Sequence, residues 1–356
     1  MNPFLSIVIP TYNRLEILID NLKKILAYKE NDIEIIIQDD CSTEPINEAV
    51  EELSDKRIKV FKNKQHLNID NYYYSLKSGR GEYLWLISYR DTVMPENIST
   101  CINLLKKSVP DLLAVSGKNC ANYKDSLTTG YEAIRRNYAV FMYGTGIVYK
   151  RDKINFNKYT SCVGYETWLL YPQTFLANDI IKHGKIQTTS LQLFERVDYP
   201  SSDKLSWAIK GKPYYPEIPA RLHLHKLLCY DLQKEKLNEA QRVFFVLLLT
   251  CRFIGWEITY ISFIQNLNQN QRLSKELKFK LNEHFVNHSI YSLIILLPWK
   301  VYKRGGRILK MKCRYIWSNK HCLRVFVSLI CQHIRLCKVC LSVHKMKTLI
   351  ERGDKQ

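Results

Sequence analysis

Strand-like and helix-like segments alternate through the first hundred residues, and this rhythm constrains the chain more than any other feature. Leu5-Ser6-Ile7-Val8-Ile9-Pro10 is apolar and β-branched and ends at proline, which predicts a buried strand. Leu15, Leu18, Ile19, Leu22, Ile25 and Leu26 recur at the spacing of one helix face, which predicts a helix over Leu15–Tyr28. Ile33-Glu34-Ile35-Ile36-Ile37 predicts a second strand that stops at Asp39-Asp40. A helix over Glu44–Leu53, a strand over Ile58–Phe61, a helix over Asn68–Ser78 and a strand over Tyr83–Ile87 follow. Such alternation implies an α/β fold with a mostly parallel sheet covered on both faces.

The pattern then loosens. Helices are expected at Ile98–Lys107 and Glu166–Ala177, and strands at Leu112–Ser116 and Lys185–Glu195. A strand pair is expected across Ala139–Lys150, around Gly144-Thr145-Gly146. The prolines and tyrosines of Tyr199–Pro219 suggest a boundary, with a first domain over 1–215 and a helical region over 216–356.

Parallel sheets bind ligands beyond the carboxyl ends of their strands. Three polar clusters fall at such ends: Pro10-Thr11-Tyr12-Asn13-Arg14, Asp39-Asp40-Cys41-Ser42-Thr43 and Ser88-Tyr89-Arg90-Asp91-Thr92. Carboxylates, an aromatic ring and arginines facing one crevice suit a nucleoside diphosphate. Base and ribose need hydrogen-bond partners and a stacking face, and the diphosphate needs cations or a metal. Helix capping is the alternative for Asp39 and Asp40, and equally for Thr11 and Asn13.

Ser6-Ile7-Val8-Ile9-Pro10-Thr11-Tyr12-Asn13-Arg14, with Asp39-Asp40-Cys41-Ser42, resembles the start of the family 2 glycosyltransferases. Asn68, Asn71 and Gly81-Glu82-Tyr83 resemble the family's next block, and the similarity runs over roughly residues 4–200. The resemblance implies a GT-A, Rossmann-like fold and inverting transfer from a nucleotide-sugar, with a UDP-sugar favoured. It implies nucleotide binding by Thr11, Tyr12, Arg14, Asp39, Asp40 and Asn68, with Asp39 reading the base and Asp40 near the ribose.

Ser88-Tyr89-Arg90-Asp91 stands where the family carries its Asp-x-Asp metal motif, and here only Asp91 of the expected acids remains. A Mg²⁺ or Mn²⁺ ion held by Asp91 alone would be weakly bound. Arg90 can supply positive charge to the diphosphate instead. Alternatively Arg90 pairs with Asp91 and the metal is carried by phosphates and water. Glu166, in Gly164-Tyr165-Glu166-Thr167-Trp168, matches the family's general base, and a first-turn glutamate favoured by the helix dipole is the plainer alternative. Loss of motif acids also leaves open a non-catalytic sugar- or nucleic-acid-binding protein with a decayed transferase site.

Charge separates the two ends of the chain. Val301–Gln356 holds fourteen Lys/Arg against Glu351 and Asp354, so it carries +12 of the formal +19. Trp299, Tyr302, Tyr315 and Trp317 lie among these cations, the composition of helices resting on an anionic bilayer. Nucleic acid is the competing anionic partner. Val243–Ile264 nearly suits a membrane span in length, but Arg252 at its centre would cost about 2.5–3.5 kcal/mol on insertion scales, which favours a buried or interfacial helix. Met1–Phe4 lacks the basic start of a signal peptide, so the eleven cysteines are expected to be reduced. Cys331, Cys337 and Cys340 with His333 and His344 lack a second Cys-x-x-Cys pair, and no zinc site is expected there. The expectation is a cytoplasmic enzyme on the inner face of the cell membrane, acting on a glycan acceptor carried by lipid in bacterial surface polysaccharide assembly.

Overall fold

The computed structural model describes residues 3–118, 121–141, 144–160 and 172–196, with ten further positions between 224 and 249. The chain divides into two compact units, Met1–Leu205 and Ser206–Gln356. The boundary expected near residue 215 lies outside the described residues.

In the first unit, β1 (Leu5–Thr11) and β2 (Ile33–Asp39) are buried at every position, as strands covered on both faces must be. They pair in parallel with Leu5 opposite Ile33 and Thr11 opposite Asp39. β3 (Ile58–Lys62) adds to β2, and β4 (Tyr83–Leu86) adds to the other side of β1, both in parallel. The remaining strands are β5 (Asp91–Thr92), β6 (Leu112–Lys118), β7 (Ser126–Thr128), β8 (Ile147–Lys150) and β9 (Ile186–Arg196). The sheet runs β3-β2-β1-β4-β8-β6-β9-β5, with β7 also on β9. β5, β7 and β8 are antiparallel to their partners, so six of the nine described strands point the same way.

Period-two alternation sorts the side chains. Ile7, Ile9, Ile35, Ile37 and Trp85 face a core shared with α1 (Leu15–Leu26) and α4 (Pro95–Ser108), to which Leu18, Leu22, Ile25, Ile98 and Leu105 contribute. Each of these aliphatic side chains gains about 1.5–3 kcal/mol from burial. α2 (Ile46–Glu51) adds Ile46 and Val50 to the same core. On the opposite face lies α3 (Asn71–Ser78), packed on β1 and β2.

The early strands occur where their sequence places them, and α4 starts three residues earlier than its apolar period, at Pro95. Proline suits a first helical turn because its missing N–H has no partner there anyway. Among the described residues of Ala139–Lys150 only Ile147–Lys150 form a strand, not the expected pair, and Ala139 has a left-handed backbone (φ 57°). α5 (Gly130–Asn137) and α6 (Phe156–Thr160) are further elements of this half. The helix expected over Glu166–Ala177 is described from Pro172, as α7 (Pro172–His183).

In the second unit Leu224, Leu228 and Leu232 are helical and buried at four-residue steps, and Phe245 and Leu249 are so again beyond the non-helical Glu235, Leu237 and Asn238. Asn238 and Gln241 form a reciprocal cap. The Gln241 amide N–H donates to Asn238 Oδ1 at 2.9 Å, and the Asn238 N–H donates to Gln241 Oε1 at 3.0 Å. Among the described residues no helix is long and apolar enough to cross a membrane. Most of Val243–Ile264, all of Ile290–Tyr302, the basic tail and the Cys331–His344 cluster lie outside the described residues.

Candidate active site

The β1–β2 register brings the first two polar clusters together. Beyond Thr11, Asn13 and Arg14 both take left-handed backbone (φ 56° and 67°), which turns the chain sharply into α1. The turn is pinned to the neighbouring loop. The Asn13 N–H donates to Ser42 Oγ at 2.7 Å, and Asn13 Oδ1 accepts from the Thr43 N–H at 3.0 Å. Tyr12 is left half-exposed at the rim.

Asp39 and Asp40 are both buried, and their carboxylates do different work. Asp39 Oδ1 accepts the Ser42 N–H at 2.9 Å, while Oδ2 faces Lys62 Nζ at 3.8 Å. Asp40 Oδ1 accepts from Asn63 Nδ2 at 2.8 Å and the Leu67 N–H at 2.7 Å, and Oδ2 lies 2.7 Å from His66 Nδ1. The His66 ring in turn lies against Tyr12, with centroids 4.1 Å apart and planes tilted by 33°. Asp40 thus organises the loop after β3. Asn68 begins a short 3-10 turn (Asn68–Asp70) there, and its side chain lies outside the described residues. Asn71 Nδ2 donates to Gln38 O at 2.9 Å and holds the head of α3 against the end of β2.

The third cluster is fixed from two sides. Asn21, buried on α1, donates to Tyr89 O at 2.6 Å and accepts from Thr92 Oγ1 at 2.7 Å. Thr145 Oγ1 accepts the Ser88 N–H at 2.7 Å and donates to Asp91 Oδ2. Asp91 is fully buried. Arg90 Nε donates to Tyr89 Oη at 3.1 Å, with the guanidinium carbon 5.6 Å from that ring's centroid.

Thr145 reaches Asp91 because of its neighbours. Gly146 has φ 93°, and a Cβ there would stand 2.6 Å from Phe194 Cε1 and 2.8 Å from Val115 O, so only glycine fits. A Cβ at Gly144 would meet Tyr72 Cε1 at 3.1 Å, which places the Tyr72 ring over this loop. The Tyr72 phenol is pushed up to about 12, by burial first and then by Tyr89 and Asp91, so it stays a neutral donor.

The expected residues Thr11, Tyr12, Arg14, Asp39, Asp40, Arg90 and Asp91 therefore stand on the carboxyl ends of adjacent strands, whereas Glu166, Thr167 and Trp168 lie outside the described residues. The Gly81 block serves the opposite end of the sheet. Its N–H donates to Ser6 Oγ at 2.7 Å, and the Arg80 N–H donates to buried Glu34 at 2.7 Å. The sequence does not mark Asn21, Lys62, His66 or Tyr72 as site residues. Only Asn21 had a local signal, as a polar residue among Leu18, Leu22 and Ile25 on an apolar helix face.

Among the described residues no three His, Cys, Asp or Glu side chains converge on a common point. Asp91, buried and already accepting from Thr145, is the one acid of the incomplete motif. This donor set does not amount to a protein-built site for a divalent ion, which needs several oxygen ligands.

Residues 6–166 match the family model described as glycosyl transferase family 2. A putative colanic acid biosynthesis glycosyl transferase, WcaA of Escherichia coli K12, is 34% identical over 105 residues, which are 28% of this chain and 36% of that one. The GalNAc(5)-diNAcBac-PP-undecaprenol beta-1,3-glucosyltransferase of Campylobacter jejuni is 33% identical over 130 residues, 35% of this chain and 40% of that one. The chain therefore spans two fifths or less of the length of these curated relatives. Among solved structures, S. aureus TarS 1-349 in complex with UDP-GlcNAc superposes with a TM-score of 0.60 at 15% identity, over 81% of this chain and 80% of that one. The same protein in complex with UDP gives a TM-score of 0.55 at 15% identity, over 97% and 92%. At such identity these structures show the fold alone, an α/β architecture like that of the GT-A enzymes. Residues 6–166, somewhat less than half of the chain, are thus similar to glycosyl transferase family 2.

Proposed function

We propose that this chain is an inverting glycosyltransferase that moves a sugar from a nucleotide-sugar, a UDP-sugar in preference, to a glycan acceptor carried by lipid. The observation that carries this reading is the convergence of Thr11–Arg14, Asp39–Ser42 and Ser88–Asp91 at neighbouring strand ends, in a domain similar to this family. The names of the Escherichia coli and Campylobacter jejuni relatives support a setting in surface polysaccharide assembly, the latter through its undecaprenol-linked substrate. The +12 carried by Val301–Gln356 supports contact with the anionic inner face of the cell membrane.

In this mechanism Asp39 accepts a base N–H, with Tyr12 beside the nucleoside. The acceptor hydroxyl oxygen attacks the anomeric carbon from the face opposite the diphosphate. The bond from that carbon to the phosphate oxygen breaks, and the electron pair leaves with the diphosphate. The hydroxyl proton passes to the Glu166 carboxylate as general base. Arg90 meets the developing negative charge by paired N–H contacts to phosphate oxygens.

Calorimetry with UDP, GDP, dTDP and CDP, in Mn²⁺ and then in EDTA, tests the reading. UDP binding that survives EDTA and is lost in Arg90→Ala is the expected result. Binding that requires Mn²⁺ would transfer the charge role from Arg90 to a metal carried by the phosphates and Asp91. Failure to bind any nucleotide would sink the enzyme reading and favour the non-catalytic alternative, for which the serine and arginine in the acidic motif are the supporting feature.

A further inference from the structure

We propose that Lys62 is a second base-reading residue, which acts beside Asp39 to select uracil over cytosine. The inference rests on the donor-site reading above. Lys62 is the last residue of β3 and stands in register with Asp39 on β2. Paired residues of adjacent strands project to the same face, so the ammonium arrives beside the carboxylate.

Three contacts set its direction. Lys62 Nζ lies 3.8 Å from Asp39 Oδ2 and donates to Ser42 O at 3.2 Å. Asp39 Oδ1 is engaged by the Ser42 N–H at 2.9 Å, so Oδ2 is the oxygen turned to Lys62. An ammonium has three N–H donors. With one given to Ser42 O and one directed at Asp39, a third remains for a ligand. The pair presents an acceptor, Oδ2, next to a donor, Nζ.

Uracil shows the complementary edge, an N3–H flanked by carbonyl oxygens. N3–H donates to Asp39 Oδ2 and the O4 carbonyl accepts from Lys62. Cytosine has an unprotonated N3 beside an amino group. It would set lone pair against carboxylate and N–H against ammonium, an arrangement in which neither protein group bonds the base and both repel it.

Lys62 has little work in the fold itself. Its side chain is 55% exposed, and an ion pair that open to water contributes little to stability. Lys62→Met keeps the aliphatic stem and removes the donor, so it separates base reading from folding.

The test is calorimetric titration of the full chain and of Lys62→Met with UDP and CDP, beside a thermal melt of each. The expected result is an unchanged melt and a wild-type preference for UDP. In the variant UDP binding weakens about tenfold while CDP binding holds, so the preference shrinks by the same factor. A wild type that prefers UDP and a variant that keeps the full preference would overturn the role of Lys62 and leave the donor site standing. A wild type that binds both nucleotides equally would overturn the selection as well. A wild type that binds neither would overturn the donor-site reading and this inference together.

Discussion

Thr145 joins two parts of the candidate site through one hydroxyl, which accepts the Ser88 N–H and donates to the buried Asp91 carboxylate. Thr145→Val preserves shape and removes both bonds, leaving a buried carboxylate short of a donor. Loss of one partner from a buried polar group costs about 1–3 kcal/mol. A lower denaturant midpoint and weaker nucleotide binding are expected from chemical unfolding and calorimetry on that variant, and an unchanged midpoint would show that the bridge is idle. The residues whose role in the site is legible in the sequence and those whose role is not differ in one respect. Thr11 and Asp39 close β1 and β2, and Asp91 stands a short turn beyond β4, so each is visible as a polar residue after an apolar run. Thr145 sits more than fifty positions from Asp91, and its role depends on Gly146 turning where no Cβ is tolerated. His66 and Tyr72 likewise acquire meaning only from Tyr12 and Gly144, which are distant in sequence.

Elements were legible in proportion to their length and period. β1, β2, α1 and β4 have clear apolar signatures and form close to where those signatures lie. β5 and β7, of two and three residues, are too short to show any period and exist because β9 offers them a partner. The strand pair expected across Ala139–Lys150 failed for a related reason. An apolar composition there reflects burial, and Ala139 and Phe141 are buried without being extended into a ladder. In the second unit the Asn238–Gln241 cap satisfies two amides at the start of a helical run. Asn238→Ala should lower the stability of that helix by about 0.5–2 kcal/mol, read as a loss of helical circular dichroism on heating. A melt identical to wild type would show that tertiary packing alone holds the run.

At the scale of the molecule, acid should loosen the first unit. A hydrogen bond from the Arg57 side chain holds the Asp55 carboxyl below its ordinary range, and Arg135, then Arg136, bring Glu132 to about 2. A carboxyl whose pKa is depressed on folding adds stability above its unfolded value, and loses it as pH falls through the folded one. The urea midpoint should therefore hold down to about pH 4 and fall between about pH 4 and 2. Added salt should reduce the part owed to half-exposed Glu132. A midpoint flat across that window would remove these pairs from the account.

The sequence by itself determined the alternating architecture and the strand ends at which polar residues gather, because burial period and strand termination are local properties written in consecutive residues. It also determined the charge asymmetry that sets Val301–Gln356 apart, since charge adds along a chain whatever its shape. Only the tertiary structure decided which partners each carboxylate takes. Asp39 and Asp40 are neighbours in the chain, yet one keeps an oxygen beside Lys62 and the other is bound to Asn63, His66 and the Leu67 amide. That division depends on strand register and on the path of the loop after β3, and both are set by contacts between residues more than twenty positions apart.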